Sequence, residues 1–228
     1  MKNSPKVRLE SLTKLQPITE KQIRVVEEYK KGCNLVLSGS AGTGKTFIAL
    51  SLALEDVLDK NTRYDRVVIV RSIVPTRDIG FLPGDEEEKK EAYASPYRSI
   101  ISEICSNDKE AWSKLLASDE LEFMSTSFIR GITISNAIIV VDEFQNCNGH
   151  ELDSIITRMG KNCKLIICGD YYQSDFTKET DKKSVLKFLQ ILQQLNRFSC
   201  IEFSWQDIVR SDVVRDYVMT KEMLKITF

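Results

Sequence analysis

The sequence predicts an α/β fold in which a mostly parallel sheet carries helices on both faces. Short apolar runs alternate with helical periods along the chain, which is typical of strands and helices in turn. Several of these runs are continuous rather than alternating, as in strands that are buried on both faces. The predicted strands are Asn34–Ser38, Val67–Arg71, Leu121–Ser125, Ala137–Asp142, Lys164–Cys168 and Cys200–Phe203.

Helical patterns lie between the predicted strands. A Thr-x-x-Gln capping signal opens Thr19–Lys31, and Gly32 follows its last residue. The pattern at Lys45–Leu58 comes directly after a glycine-rich loop, and Asn148–Met159 carries its apolar residues on one stripe. Two further helices are predicted, at Ser184–Leu195 and Asp212–Leu224. The whole chain, 1–228, is therefore interpreted as one domain.

One long stretch, 72–116, interrupts this alternation. It contains three prolines and a run of seven charged residues from Asp85 to Glu91. A charge run usually lies on a solvated surface, so a surface excursion is one interpretation. A functional insertion is the other, because long connections in compact domains often carry function.

Composition restricts the class of protein. The chain has 32 Lys and Arg against 33 Asp and Glu, so a strongly basic coat for nucleic acid is excluded, although a local basic channel is not. Its six cysteines form no CxxC pair and it has one histidine, so the sequence lacks the spacing of metal ligands. Several cysteines lie within apolar runs, which indicates buried free thiols and a reducing compartment. No apolar run approaches the roughly 20 residues of a membrane span. We therefore expect a cytoplasmic protein that does not contact a membrane.

The most specific motif is a phosphate-binding loop. Gly39-Ser40-Ala41-Gly42-Thr43-Gly44-Lys45-Thr46 fits GxxxxGK[ST], with an apolar strand before it and a helix pattern after it. Glycines let backbone N–H groups converge on phosphate oxygens, and the helix N-terminus adds its positive dipole end. In such a loop Lys45 reaches the β- and γ-phosphates of ATP, and Thr46 supplies a hydroxyl ligand to Mg²⁺.

Three further pieces complete the predicted site. A buried strand delivers Asp142 and Glu143 at its carboxyl end, where Asp142 would hold Mg²⁺ and Glu143 would polarise the attacking water. Gln173 follows the next strand and is a candidate contact to the γ-phosphate or its water. Gln22, upstream of the loop, carries an amide with the donor and acceptor that an adenine edge requires.

These four pieces, in this order, resemble the core of superfamily 1 helicases. The surrounding residues make the resemblance more specific, because they match one family within this group. That resemblance extends from about Gln16 to Val218. Five segments resemble stretches of PhoH-like proteins. The stretches GFLPGD, FxRGRT, DEAQN, LTRIG and DVVR are matched, in this order, by Gly80–Asp85, Phe128–Thr133, Asp142–Asn146, Thr157–Gly160 and Asp207–Arg210.

The resemblance implies a cytoplasmic Mg²⁺-dependent ATPase with a single RecA-like P-loop core. The family is associated with phosphate starvation, occurs in bacteria and their phages, and includes members linked to RNA unwinding or processing. Ring-shaped hexamers are expected of such ATPases. Two departures matter: Val209–Val214 lacks the His-Pro pair of the family's VRHPLV, and Ile132 replaces the second arginine of RGRT. The role of that arginine cannot be carried over.

A single core leaves one side of the γ-phosphate exposed, so we expect a homo-oligomer in which an arginine completes the site, in cis or in trans. Arg210 is the first candidate, with Arg130, Arg158 and Arg71 behind it. In a ring, Arg77 and Gly80–Asp85 are candidate pore elements. A small cluster of Tyr93, Tyr97 and Arg98 fits either single-strand binding or local packing.

Three functions remain open on the sequence alone. The first is an oligomeric ATPase that acts on RNA or single-stranded DNA. The second is a small-molecule phosphotransferase, against which Glu143 and Gln173 count because a kinase has no water to activate. The third is a nucleotide-gated interaction protein whose slow hydrolysis resets a protein partner.

Overall fold

A computed structural model describes residues 6–72, 86–171 and 179–224, with backbone alone at 86–90 and 179–181. Three groups of predicted functional residues, Arg77, Gly80–Asp85 and Gln173, lie outside the described residues. The roles suggested for them remain predictions.

Six strands form one sheet in the order β3-β2-β4-β5-β1-β6, and every neighbouring pair is parallel. The predicted α/β class with a parallel sheet is confirmed, with β5 and β6 beginning one and two residues earlier than expected. The strands are β1 Asn34–Gly39, β2 Arg66–Arg71, β3 Leu121–Ser125, β4 Ala137–Asp142, β5 Cys163–Gly169 and β6 Phe198–Phe203.

Helices cover both faces of the sheet, and each face has its own apolar cluster. The first cluster includes Val25, Leu50 and Trp112, and the second includes Leu152 and Val185. Each strand is therefore buried from two sides, which explains the continuous apolar runs in the sequence. The helices are α1 Glu20–Lys30, α2 Lys45–Leu58, α3 Glu86–Ile104, α4 Ala111–Ala117, α5 Gly149–Thr157, α6 Glu179–Gln193 and α7 Asp212–Met223.

The stretch 72–116 contributes to the core. Within it α3 and α4 bury Tyr97, which is 1% exposed, and Trp112. Both rings contact Phe123 of β3, at centroid distances of 5.7 Å and 6.4 Å. The interpretation of this whole stretch as a solvated excursion is therefore wrong for its second half. Tyr93 and Tyr97 pack locally, as one of the two interpretations of their cluster predicted.

Two expectations from the sequence concern membrane spans and the redox state of the cysteines. None of the helices in the described part of the chain is both long enough and apolar enough to cross a membrane. All six cysteines are free thiols, and Cys105, Cys147 and Cys168 are buried.

Gly39, the first residue of the phosphate-binding loop, has no space for a side chain. Its φ is +113°, and an added β-carbon would lie 1.9 Å from the carbonyl oxygen of Phe203 in β6. Gly39→Ala should therefore destabilise the fold by roughly 3 kcal/mol or more, through a left-handed backbone and a steric overlap. Denaturant unfolding measures this free energy.

Gly32→Ala is the matched control, because Gly32 also has a positive φ, +90°, but in the described part of the chain no atom beyond its two sequence neighbours lies within 4 Å of an added β-carbon. It should cost only about 1–2 kcal/mol. Equal losses in the two variants would show that the contact with Phe203 does not restrict Gly39.

Candidate nucleotide-binding site

The predicted phosphate-binding loop connects the end of β1 to the start of α2. Gly39, Gly42 and Gly44 have φ values of +113°, +78° and +82°, which residues with a β-carbon rarely adopt. These conformations reverse the chain within a few residues and bring it to the first turn of α2, for which Gly44 is the N-cap. The first N–H groups of α2, which have no partner within the helix, and the positive end of the helix dipole therefore face the position expected for phosphate.

Lys45 is folded back onto the loop. Its Nζ lies 2.7 Å from the carbonyl oxygens of both Gly39 and Ser40 and 3.3 Å from Oγ1 of Thr43. The side chain is 8% exposed, and this burial lowers the pKa of its ammonium group. The loop therefore holds a buried cation at its centre, close to where the β- and γ-phosphates of a nucleotide would bind.

Thr46 and Asp142 bring a hydroxyl and a carboxylate oxygen together. Oγ1 of Thr46, in the first turn of α2, donates to Oδ1 of Asp142 at the end of β4, over 2.8 Å. The hydroxyl of Tyr97 donates to the other carboxylate oxygen, Oδ2, over 2.9 Å. Burial, and next the charge of Glu143, raise the pKa of Asp142 to about 6, against the opposing effect of these two hydrogen bonds.

Glu143 lies one residue beyond β4 in a left-handed conformation, with φ +53°. A 3-10 turn at Phe144–Asn146 follows it and places Gln145 beside it. Nε2 of Gln145 donates to the Glu143 carboxylate, while Oε1 accepts the N–H of Asp170 over 2.9 Å. Gln145 thus connects Glu143 to the residue that follows β5.

Gly169 makes this connection possible, because an added β-carbon would lie 2.2 Å from Oε1 of Gln145. Gln145 was not among the predicted site residues. The sequence signal for it was its place in Asp142–Asn146, the segment that resembles DEAQN.

Gln22 lies beneath the loop and is 4% exposed. Its Nε2 donates to the carbonyl oxygen of Thr43 over 3.0 Å, and its Oε1 accepts the N–H of Ile18 over 2.8 Å. Both ends of the amide are thus bound to backbone. Recognition of adenine by Gln22 stays a prediction and would require the amide to exchange these partners.

The segment before α7 packs on the outer side of the loop. The N–H of Val209 donates to the carbonyl oxygen of Gly42 over 3.1 Å. A β-carbon added to Gly42 would lie 3.0 Å from Cγ of Arg210, so this arginine is adjacent to the loop of its own chain. Farther along, the Ser40 hydroxyl donates to Glu222 over 2.5 Å.

The other candidate arginines occupy different surroundings. Arg130 is exposed, and Arg158 is half-buried with an Nε that has no hydrogen-bond partner among the described residues. Arg71 ends β2 with its guanidinium 5.5 Å from the ring centroid of Tyr93. Burial opposes its charge, but Tyr97 and the carboxylates of Glu143 and Asp142 raise its pKa. Arg71 therefore lies within the electrostatic reach of the site.

Residues 14–222 match one family, described as PhoH-like protein. The chain belongs to the PhoH-like family. A PhoH-like protein of Synechocystis is 33% identical over 186 residues, which are 81% of this chain and 55% of the relative. A PhoH-like protein of Bacillus subtilis is 30% identical over 177 residues, 77% of this chain and 54% of the relative. The chain thus spans about half the length of these curated relatives.

A solved structure of another protein has a fold similar to that of this chain. The large terminase from a thermophilic bacteriophage, in complex with ADP, has a TM-score of 0.51 and 12% identity, and the match covers 91% of this chain and 50% of the terminase. At this identity the likeness concerns the fold alone. Family, fold and the GxxxxGK[ST] loop together identify a P-loop core of the PhoH-like family.

Proposed function

We propose that the chain binds ATP with Mg²⁺ and hydrolyses it to ADP and inorganic phosphate. One observation carries the proposal: Thr46 and Asp142 meet beside Lys45 at the carboxyl edge of the sheet, with Glu143 next to them. This edge is where open parallel sheets bind ligands. A cation for phosphate, oxygen ligands for a metal and a carboxylate for water are thus supplied by neighbouring elements.

The residues at this edge fit Mg²⁺. A hydroxyl oxygen and a carboxylate oxygen lie 2.8 Å apart, and hard oxygen ligands of this kind are what Mg²⁺ prefers. Thr46 and Asp142 would hold the ion, which when bound neutralises charge on the β- and γ-phosphates. The Asp142 carboxylate must be ionised for this role.

In the proposed reaction Glu143 accepts a hydrogen bond from the attacking water and so orients its oxygen toward the γ-phosphorus. A new bond forms between that oxygen and phosphorus while the water gives a proton to the Glu143 carboxylate. The bond to the β–γ bridging oxygen breaks, ADP leaves with the electron pair, and the proton passes from Glu143 to the released phosphate. The hydrogen bond from Gln145 fixes one oxygen of the Glu143 carboxylate. Lys45 and the loop N–H groups stabilise charge on the transferred phosphoryl group, and Arg210 is the first candidate to add to them.

The proposed use of hydrolysis is to remodel RNA or single-stranded nucleic acid in a homo-oligomeric ring. Beyond the resemblance to helicase-like ATPases, one surface favours this. The loop after β3 exposes Phe128 to 54% and Ile132 to 36%, with Arg130 between them. An exposed aromatic ring next to an arginine suits base stacking and phosphate contact.

Steady-state hydrolysis of Mg-ATP, with and without single-stranded RNA or DNA at low salt and at increasing protein concentration, tests this use. We expect stimulation by nucleic acid and an activity that rises more than proportionally with protein. Phe128→Ala should lose much of the stimulation but keep the basal rate. Slow hydrolysis that neither nucleic acid nor protein concentration changes would contradict the proposal.

A specific observation on α7 favours a second candidate, a nucleotide-gated interaction protein. This helix has no buried residue, and it exposes Val213 to 78% and Tyr217 to 59%. Glu222, near its end, is bonded to Ser40 of the phosphate-binding loop. An apolar surface connected to the loop suits a protein partner. The outcome that favours this candidate is hydrolysis without stimulation by nucleic acid, together with loss of a partner on replacing Val213 and Tyr217.

A further inference from the structure

Tyr97 is a buried tyrosine that takes no direct part in the proposed reaction. It lies in α3, which packs beside β3, and its ring contacts Phe123. Its hydroxyl nevertheless reaches the end of β4, where it donates to Oδ2 of Asp142 over 2.9 Å. The side chain is 1% exposed, so water cannot readily replace this donor.

The two donors to Asp142 occupy different oxygens. Thr46 binds Oδ1 and Tyr97 binds Oδ2, so the plane of the carboxylate is fixed from both sides. Thr46 comes from α2, whereas Tyr97 comes from α3, a different helix that packs against α2 on the same face of the sheet. Outer partners that orient a metal-binding side chain commonly change metal affinity about 10–100-fold.

A second contact anchors the same helix at the site. The Arg71 guanidinium, at the end of β2, lies 5.5 Å from the ring centroid of Tyr93, one turn before Tyr97 in α3. Arg71 also interacts with Tyr97 itself. The middle of α3 is therefore held to two strand ends that border the site.

We propose that Tyr97 is a positioning residue that orients the Asp142 carboxylate for Mg²⁺ and thereby couples α3 to the metal-bound state of the nucleotide site. The proposal rests on the proposed function, because it assumes that Asp142 helps to hold Mg²⁺. Tyr97 itself does not bind nucleotide or metal. It acts only through the direction in which it holds the carboxylate oxygens.

Tyr97→Phe tests the proposal, since it removes the hydroxyl but keeps the ring that packs on Phe123. Tyr29→Phe is a matched control. Tyr29 is 4% exposed and donates to a carboxylate oxygen of Asp56 over 2.8 Å, near the amino-terminal end of the sheet and away from the site. Each variant thus loses a hydrogen bond from a tyrosine hydroxyl to an aspartate, and Tyr29→Phe also loses the 3.3 Å contact of the same hydroxyl with the carbonyl oxygen of Leu52.

Two binding measurements separate metal from nucleotide. The affinity for a fluorescent non-hydrolysable ATP analogue in EDTA reports the loop alone, and Mn²⁺ binding to the complex, followed by electron paramagnetic resonance, reports the metal. For Tyr97→Phe we expect unchanged affinity in EDTA and about a tenfold loss of Mn²⁺ affinity. Tyr29→Phe should match the wild type in both.

Mn²⁺ affinity in Tyr97→Phe equal to that of the wild type would overturn the proposal. Asp142→Asn distinguishes this from a failure of the proposed function. If Asp142→Asn weakens Mn²⁺ binding and Tyr97→Phe does not, only the role of Tyr97 is lost. If Asp142→Asn has no effect, or the wild type binds no nucleotide, the proposed function itself is wrong.

Hydrogen exchange on the wild type gives a readout that needs no variant to fold. Amides in 91–104 of α3 should exchange more slowly with Mg²⁺ and the ATP analogue than with the analogue in EDTA. Equal exchange in the two conditions would overturn the coupling of α3 to the metal.

Discussion

Glu143→Gln is expected to bind ATP at least as tightly as the wild type but to hydrolyse it about 10²–10⁴-fold more slowly. The amide is isosteric with the carboxylate, so the adjacent turn and Gln145 should stay in place. It cannot accept the water proton or orient the water as a carboxylate does. Removal of a negative charge beside the γ-phosphate favours bound ATP.

Single-turnover hydrolysis and equilibrium binding of ATP measure the two parts of this expectation. Glu151→Gln is a suitable control, because Glu151 is a half-buried glutamate whose carboxylate binds Thr126 and the N–H of Asn148 outside the site. Normal turnover by Glu143→Gln would show that Glu143 does not polarise the attacking water.

Lys45→Ala is expected to abolish hydrolysis and to weaken ATP binding severely. The variant removes the cation that the loop holds against the carbonyl oxygens of Gly39 and Ser40. Loss of one preorganised electrostatic partner of a reacting group typically costs about 10²–10³ in rate, and here phosphate binding is lost as well. Equilibrium binding of ATP and phosphate release measure both effects.

Lys164→Met is the matched control for Lys45→Ala. Lys164 is also buried, 7% exposed, and its Nζ donates to the carbonyl oxygen of Tyr29 over 3.1 Å near the start of β5. Its replacement should change stability but leave ATP binding intact. Wild-type turnover by Lys45→Ala would contradict the assignment of the phosphate-binding loop.

The parts of the site that the sequence predicted are those encoded locally. Gly39–Thr46 is one uninterrupted segment, and Asp142 and Glu143 directly follow an apolar strand. In a parallel sheet such strand ends meet at one edge, so strand prediction was sufficient to bring Thr46 and Asp142 together. The fold class followed from the same continuous apolar runs.

Contacts between distant segments could not be predicted in this way. Tyr97 and Asp142 are 45 positions apart, and nothing in the spacing of either indicates the other. The charge run at Asp85–Glu91 favoured a solvated surface, although the helix that continues beyond it buries Tyr97. A charged segment predicts that one face of a helix is exposed, but it does not predict which residues the opposite face contacts.

The position of Arg210 is a similar case. From the sequence it could serve its own chain or a neighbour, and its side chain packs beside Gly42 of its own loop. The role of Gln145 is likewise visible only in the fold. Its side chain contacts Gly169, the last residue of β5, and accepts a hydrogen bond from the N–H of Asp170, which follows that strand.

Release of inorganic phosphate from Mg-ATP shows whether Lys45, Asp142 and Glu143 form a site for ATP hydrolysis. The measurement compares the wild type with Lys45→Ala and Glu143→Gln, prepared identically. We expect phosphate release by the wild type that requires Mg²⁺ and is lost in both variants. Wild-type protein that binds ATP and releases no phosphate, or release that is equal in all three proteins, would contradict it.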